Sequence, residues 1–506
     1  MTGTDSDPIE RLATGMSSFD QVAMGGLPTG RSSLVTGTTG SGKTLFAVEY
    51  LARGIQRYDQ HGVFVTFEET AADIRRNSRS LGFDIANWEA DGKWIFVDAS
   101  ADTTQEGPTI GTYDFGALVA RIDHAVRRVG ASRVSLDSLG AIFTRFGDIG
   151  MVRHELFRMA GALETLGVTA VLTAERHAEY NSVSRYGVEE FVLDNVIILR
   201  NVLRGERRRR TVEIVKLRGA AHHTGEWLFT IDPREGMVII PLAFLVPRER
   251  ASRERVSTGN AALDRMVGGG VFRDAVTLIS GPTGTGKTLT SLRFADAAYQ
   301  AGERCVLYTF DETREQLARN ATGWGMDLHA MESSGFARIL ADYPEVASLE
   351  DHFLRLHRAI QDFRPQRLII DPLSALERIV TPRALLDFVI ALGALLRQHE
   401  ITTLLTSAPT GRVTPVATPA IAMEIASLAD VTILLRYVER VGSVDRCIAV
   451  LQTRGSDHDQ SVRQVSIDSA GMHIGAPLTT LAQIVPGSGY ATEVQFIPEP
   501  PDESPK

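Results

Sequence analysis

Short, unbroken apolar runs recur along the chain, interleaved with stretches of helical spacing. SSLVTG from Ser32, GVFVTF from Gly62, KWIFVDAS from Lys93, RVSLDS from Arg133 and TAVLTA from Thr169 read as strands. GKTLFAVEYLARGI from Gly42 carries its apolar residues at helical spacing and predicts a helix. A second set follows: AVTLIS from Ala275, RCVLYTF from Arg304, ARILAD from Ala337, RLIIDP from Arg367 and ITTLLTS from Ile401. Strands that are apolar throughout are buried on both faces. They predict a mainly parallel sheet flanked by helices, an α/β fold. The runs NVIILR and RRTVEIVKLR, and later VTILLRY and RCIAVLQTRG, predict antiparallel strands near the end of each set.

The two sets are one pattern written twice. TGMSSFDQVAMGGLPTG from Thr14 is matched by TGNAALDRMVGGGVFRD from Thr258. VTGTTGSGKTL from Val35 meets ISGPTGTGKTL from Ile279, TFEET from Thr66 meets TFDET from Thr309, and KLRG from Lys216 meets QTRG from Gln452. Four landmarks in one order at nearly one spacing indicate a tandem duplication; a solenoid would repeat every ~20–50 residues. The expected organisation is a first P-loop domain over 1–246, a linker over 247–257, a second domain over 258–490 and a disordered tail over 491–506. The linker PRERASRERVS is charged and poor in apolar residues, although a solvated helix end would read the same way. The tail PEPPDESPK is acidic and rich in proline.

Composition narrows the class. The 506 residues would suggest about three average domains; the duplication reduces this to two large ones. With 53 Lys+Arg against 62 Asp+Glu the net charge is −9, which argues against a protein that mainly coats nucleic acid. Two cysteines, Cys305 and Cys447, exclude a disulfide framework or a multi-cysteine metal site. The start, MTGTDSDPIERL, is not a signal peptide, and no apolar run is long enough to span a membrane, so a cytoplasmic location is expected.

The chemistry gathers at two glycine loops. Gly37–Thr44 and Gly281–Thr288 both fit G-x-x-x-x-G-K-[ST], and each follows a strand and precedes a helix, the context the motif requires. The residues expected to cradle ATP phosphates are Gly40, Ser41, Gly42, Lys43, Thr44 and Leu45 in the first loop. In the second they are Thr283, Gly284, Thr285, Gly286, Lys287, Thr288 and Leu289. Lys43 and Lys287 would reach the β/γ-phosphates, and Thr44 and Thr288 would hold Mg²⁺. Asp137 and Asp371 end buried strands, where α/β sheets bind ligands, and would be the second metal carboxylates; capping of the next turn is the plainer alternative. Glu68–Glu69 and Asp311–Glu312 follow the strand after each P-loop helix. Such pairs can orient or deprotonate a nucleophile near the γ-phosphate, with Asp311 also a metal candidate. They could equally be a solvated helix start. The densest basic run, RGERRRR from Arg204, reads as a solvated hairpin tip or a nucleic-acid patch.

These motifs together resemble the KaiC family of circadian clock proteins over about residues 10–490. T-G-[MN] at the start of each copy, FEET/FDET and RRRTVEIVKLRGAAHHTGEW carry the resemblance. It implies RecA-like domains in a homohexameric double ring with ATP between subunits. The first ring would be an ATPase, and the second an autokinase and autophosphatase acting on its own Ser/Thr residues. By the same resemblance Glu68 and Glu69 are catalytic, and Ser80, Leu217 and His222 are nucleotide contacts. Lys216 and Arg218 reach the neighbouring subunit's ATP. In the second copy Trp324 lies beside the adenine, Arg446 and Arg454 are basic residues of the neighbour-facing side, and Thr453 and His458 are contact positions.

The sequence also departs from that family. Asp311 is one methylene shorter than the expected Glu, and Gln452 replaces a Lys. The phosphorylated Ser–Thr pair falls on Ala426–Ser427, so Ser427 is the one surviving phosphosite candidate. The tail differs from the segment that binds the clock partner KaiA. The expected function is ATP hydrolysis in a hexameric ring, with autokinase activity at Ser427, in timing or signalling. The alternatives are a nucleotide-gated signalling scaffold meeting KaiB-like proteins or histidine kinases, and a RecA-like DNA-dependent ATPase.

Overall fold

The computed structural model describes residues 9–99, 115–140, 149–180, 183–184, 187, 189–204, 207–240, 252–408, 420–440 and 443–478. The expected tail, the hairpin tip at 205–206 and the linker up to 251 lie outside these residues. The chain divides into two compact units, Met1–Phe244 and Leu245–Lys506.

In the first unit nine strands form one sheet. Five parallel strands run in the order Ser32–Gly37, Thr169–Glu175, Arg133–Asp137, Gly62–Thr66, Trp94–Asp98. On the other side of Ser32–Gly37 comes parallel Asn195–Arg204, then antiparallel Arg207–Leu217, Glu226–Asp232 and Gly236–Ile239. The apolar runs are continuous because alternate residues serve two cores. Val35, Phe64 and Val171 pack into one cluster, whereas Leu34, Val63, Val65 and Leu172 pack into the other.

The second unit repeats this plan. Its sheet runs Ala337–Ala341, Cys305–Thr309, Arg367–Asp371, Thr402–Ser407, Val276–Ser280, Val431–Arg440, Ser443–Thr453, Arg463–Asp468, Gly471–Pro477. The strands up to Val431–Arg440 are parallel and the last three antiparallel. Each unit is thus a RecA-like P-loop domain with antiparallel strands at its C-terminal side. The outermost pair in each unit was not legible as strands in the sequence.

The T-G landmark that opens each copy has a structural cause. Thr14 and Gly15 donate their backbone N–H groups to Asp20 at 2.8 and 3.0 Å, and Thr258 donates to Asp264 at 2.7 Å. Gly15 sits at φ 88° and Gly259 at φ 85°. A Cβ there would stand 2.5 Å from Arg53 Cβ or 2.1 Å from the Arg293 carbonyl, so only glycine fits. Arg133, fully buried at the start of its strand, donates to the Ala13, Thr14 and Tyr50 carbonyls and fastens this segment down. Arg367 does the same for Ser257 and is paired with Glu303 at 2.6 Å.

The first antiparallel pair of each unit, Asn195–Arg204 with Arg207–Leu217 and Val431–Arg440 with Ser443–Thr453, carries a bulge at the same place. Pairing shifts between Val196 and Ile197, leaving Val215 opposite no partner, and between Thr432 and Ile433, leaving Leu451 so. The arginine run is not a free tip: Arg207 to Arg210 already lie in the ladder, opposite Arg204 to Asn201.

Candidate nucleotide sites

Each glycine loop leads from its strand into the helix that follows. The helix Lys43–Tyr58 is capped by Gly42 at φ 100°, and Lys287–Gln300 by Gly286 at φ 106°. That left-handed cap turns the first N–H groups outward with no side chain in the way, which makes an anion cradle at the positive helix end. Lys43 folds back to donate to the Thr38 carbonyl at 3.0 Å, and Lys287 to those of Gly281 and Pro282 at 2.6 and 2.8 Å. Burial pushes both lysine pKa values down, while nearby carboxylates oppose the shift. Ser41 is fully buried and its Oγ has no hydrogen-bond partner among the described residues, whereas Thr285 donates to the Pro282 carbonyl at 2.8 Å. Leu45 and Leu289 pack into the helix's core face.

Asp137 and Asp371 end their strands, both buried. Asp137 accepts from Thr173 and Thr44, and Asp371 from Thr406 and Thr288. Burial raises the pKa of both carboxyls above the ordinary range. A loop threonine and a strand-end aspartate joined by a hydrogen bond give two hard oxygen ligands. That suits Mg²⁺, which keeps most of its shell for phosphate and water. Among the described residues no cluster of three or more His, Cys, Asp or Glu could hold a metal by itself.

The paired carboxylates stand in the loop just before a helix cap, not in the helix. Thr70 caps Ala71–Arg79 and Thr313 caps Arg314–Gly323. Glu68 faces Ser138, whose Oγ donates to it at 3.4 Å. Its pKa is raised by burial first, then by Glu175 and Asp137; that of Glu69 is raised by burial, then Asp137 and Asp73. Glu312 accepts from Asn320 at 3.0 Å and is raised by burial, then by Asp371. Asp311 is held differently, by an ion pair with Arg378 at 2.9 Å.

The registers place the remaining candidates. Leu217 pairs with Asn195, which pairs with Ser33, so Lys216, Leu217 and Arg218 stand at the sheet end opposite Gly37. Lys216 donates to the Glu190 and Leu193 carbonyls at 3.2 and 2.8 Å, and Arg218 pairs with Asp194 at 3.0 Å. Thr453 pairs with Val431, opposite Thr277, so Thr453 and Arg454 share the equivalent end of the second sheet. Ser427 belongs there too: its exposed Oγ donates to the Glu424 carbonyl at 2.7 Å, and Arg454 donates to the Ser427 carbonyl. Arg446 stands at the other sheet end, beside its own loop. It pairs with Tyr437, beyond the level of Ser280, and its Nε donates to the Gly284 carbonyl of its own loop at 3.0 Å. One long strand carries Arg446 and Arg454 to opposite sheet ends. Ser80 is exposed at the end of its helix, donating to the Asn77 carbonyl at 2.7 Å; His222 and His458 are half-buried. Trp324 ends the helix Arg314–Gly323, and its carbonyl accepts from Arg293 at 2.8 Å.

The family description "ATPase: KaiC" matches this chain twice, over residues 12–243 and 256–479. The chain belongs to the KaiC family. It is 50% identical over 493 residues to "Circadian clock protein KaiC3" of Synechocystis, covering 97% of each chain. It is 45% identical over 485 residues to "Circadian clock oscillator protein KaiC" of Synechococcus elongatus, covering 96% of this chain and 93% of the relative. No helix among the described residues of this KaiC-family chain is long and apolar enough to cross a membrane.

Sequence reasoning missed Glu175, which ends the strand beside the first loop, and Glu179, which accepts from Thr38 Oγ1 at 2.5 Å and from the Asn201 N–H at 3.1 Å. It also missed Thr173 and Thr406, which orient the strand-end aspartates. Aligning TAVLTAE with TTLLTSA between the two copies would have exposed Glu175.

Proposed function

We propose that this chain binds and hydrolyses Mg·ATP at both glycine loops, in a ring of copies that closes each site from two subunits. The observation that carries this is the split of each unit. Loop, lysine, strand-end aspartate and carboxylate pair stand at one sheet end, while Lys216 with Arg218, and Arg454, stand at the other. A group at the far end cannot reach its own loop, but it can reach the loop of the next copy in a head-to-tail ring. In that arrangement Lys43 and Lys287 neutralise the γ-phosphate, and Thr44 with Asp137, and Thr288 with Asp371, hold Mg²⁺. Glu68 and Glu69, or Glu312, orient the nucleophile, and the neighbour's Lys216 and Arg218 meet developing charge. Mg²⁺, when bound, supplies further charge neutralisation on the phosphate oxygens.

The same split directs Ser427 to a neighbour's second loop, which makes it a phosphate acceptor across the interface. The relatives are named as circadian clock proteins, and a timing role in a cytoplasmic ring fits that kinship. Asp311, tied to Arg378, and neutral Gln452 favour a second reading in which the second ring mainly senses nucleotide. Turnover in Lys43→Ala and Lys287→Ala, with native mass measured with and without ATP, tests these readings. Unchanged hydrolysis in Lys43→Ala overturns the first-site assignment, and a monomer in ATP overturns the shared site. Phosphate on Ser427 in wild type decides against the purely sensing second ring.

A further inference from the structure

We propose that Glu175 is a positioning carboxylate of the first site that selects water as the phosphoryl acceptor. The inference rests on the reading of the first loop as an ATP-hydrolysing site.

The register fixes the comparison between the units. Gly37, the first loop residue, pairs with Glu175, and the Arg176 N–H donates to the Gly37 carbonyl at 3.1 Å. In the second unit Ser280 pairs with Ser407, and the Gly281 N–H donates to the Ser407 carbonyl at 3.1 Å. Thr173 and Thr406 mark the same position, since each donates to its strand-end aspartate. Two residues further on stand Glu175 in one unit and Ala408 in the other.

Direction follows from the strand period of two. Glu175 leaves the sheet on the face that carries Thr173 to Asp137. The surroundings agree: a Cβ built on Gly140 would lie 3.9 Å from Glu175 Cγ and 3.6 Å from Ser138 Oγ, and Ser138 is the donor to Glu68. Glu175 is therefore on the Glu68 side of the cleft. Its charge is the foremost of those acting on Lys43, ahead of Asp137, Glu68 and Glu179, and it leads Asp137 in its action on Glu68. Among the described residues the carboxylates that act on Lys287 are Asp371 and Asp311, and Ala408 offers a methyl group, with its N–H donating to Ser374 at 3.0 Å.

This difference matches a difference between acceptors. Water carries two O–H donors, and aiming its lone pair at phosphorus requires both to be held. Glu68 and Glu175 supply two acceptors. A serine hydroxyl has one O–H, which a single carboxylate can hold. In the hydrolytic step the water oxygen bonds to the γ-phosphorus and the bond to the β,γ-bridging oxygen breaks. Its electron pair leaves with ADP, and one water proton passes to Glu68. Glu175 holds the second O–H and transfers nothing.

The test uses the full chain carrying Lys287→Ala, so that turnover reports the first site. Glu175→Ala, which removes the acceptor, is expected to lower kcat at least about tenfold, less than the ~10²–10⁴-fold of a group that takes the proton; Glu175→Gln, which keeps one acceptor oxygen, should lose less. KM for ATP and the calorimetric affinity for Mg·ADP should change far less, and Glu175→Asp should recover part of kcat. Wild-type kcat in Glu175→Ala, or a loss of Mg·ADP affinity in step with kcat, overturns the proposal. The converse variant, Ala408→Glu in a Lys43→Ala chain, should raise the ratio of free phosphate to protein-bound phosphate; an unchanged ratio counts against acceptor selection. If Lys43→Ala leaves turnover intact, the reading of the site fails instead, independently of Glu175.

Discussion

Phosphate should reach Ser427 only from another chain, and the sheet gives the distance that forbids the alternative. Asp430, three residues after Ser427, exchanges backbone and side-chain hydrogen bonds with Val276 at 2.8 and 2.9 Å. The loop begins at Gly281, after the strand Val276–Ser280 has run its full length. At about 3.3 Å per residue that strand separates the two levels by roughly 17 Å. Reacting atoms must approach to about 3–3.5 Å, and no serine rotamer covers the remainder. The experiment co-expresses Lys287→Ala, which keeps the acceptor, with Ser427→Ala, which keeps the loop. Each variant alone should remain unlabelled by γ-labelled ATP. Mixed in equal amounts in a head-to-tail ring, about a quarter of interfaces join an intact loop to an intact acceptor, so about a quarter of wild-type label is expected. All of it should sit on the Lys287→Ala chain, as resolved by mass spectrometry. Wild-type labelling at Ser427 with none in the mixture would refute the argument.

Other expectations follow from the same geometry. Arg367→Met strips half-buried Glu303 of one of its two arginine partners and leaves it Arg273 at 2.7 Å, so the second unit should lose less in denaturant unfolding than the ~3–5 kcal/mol of a buried charge left wholly unpaired, and adding Arg273→Met should bring the loss toward that range. Arg218→Ala removes an exposed ion pair worth under about 1 kcal/mol, yet should reduce first-site turnover by about 10³-fold if it acts across the interface; equal losses in both measurements would contradict this. Because burial, then Glu175 and Asp137, raise the Glu68 pKa, the acid limb of kcat/KM should lie above the ordinary glutamate value of 4.5. The raised value also means that Glu68 favours the nucleotide-free fold below 4.5 and that this contribution is lost as pH rises through the folded pKa, which thermal melts across that range can follow.

Much of the fold and part of the site could be read without coordinates. The glycine loops, Asp137, Asp371 and the carboxylate pairs are local in sequence, and apolar runs beside them fix strand and helix. What escaped was non-local. Glu175 matters because its strand lies against Ser32–Gly37, a neighbour far away in the chain. Family resemblance groups Arg446 with Arg454, and only the ladder shows that they stand at opposite sheet ends. The outermost strands, such as Arg463–Asp468, are half solvated and mix polar with apolar residues, so their apolar signal is weak. Arg133 and Arg367 appeared as strand-start charges, and their burial depends on carbonyls from segments that the sequence keeps apart.

The unpaired residues Val215 and Leu451 set a tolerance for change in this ladder. Beyond the bulge, toward the hairpin tip, residues can be gained or lost in pairs and every side chain keeps its face. At the root, removing a single residue would exchange inward and outward positions for Lys216 and Arg218, or for Thr453 and Arg454, and would turn Leu217 out of its core cluster. Length variation among related chains should therefore collect at the tip and vanish at the root, and a one-residue deletion at Val215 should yield a subunit that folds with lower stability and cannot serve its neighbour.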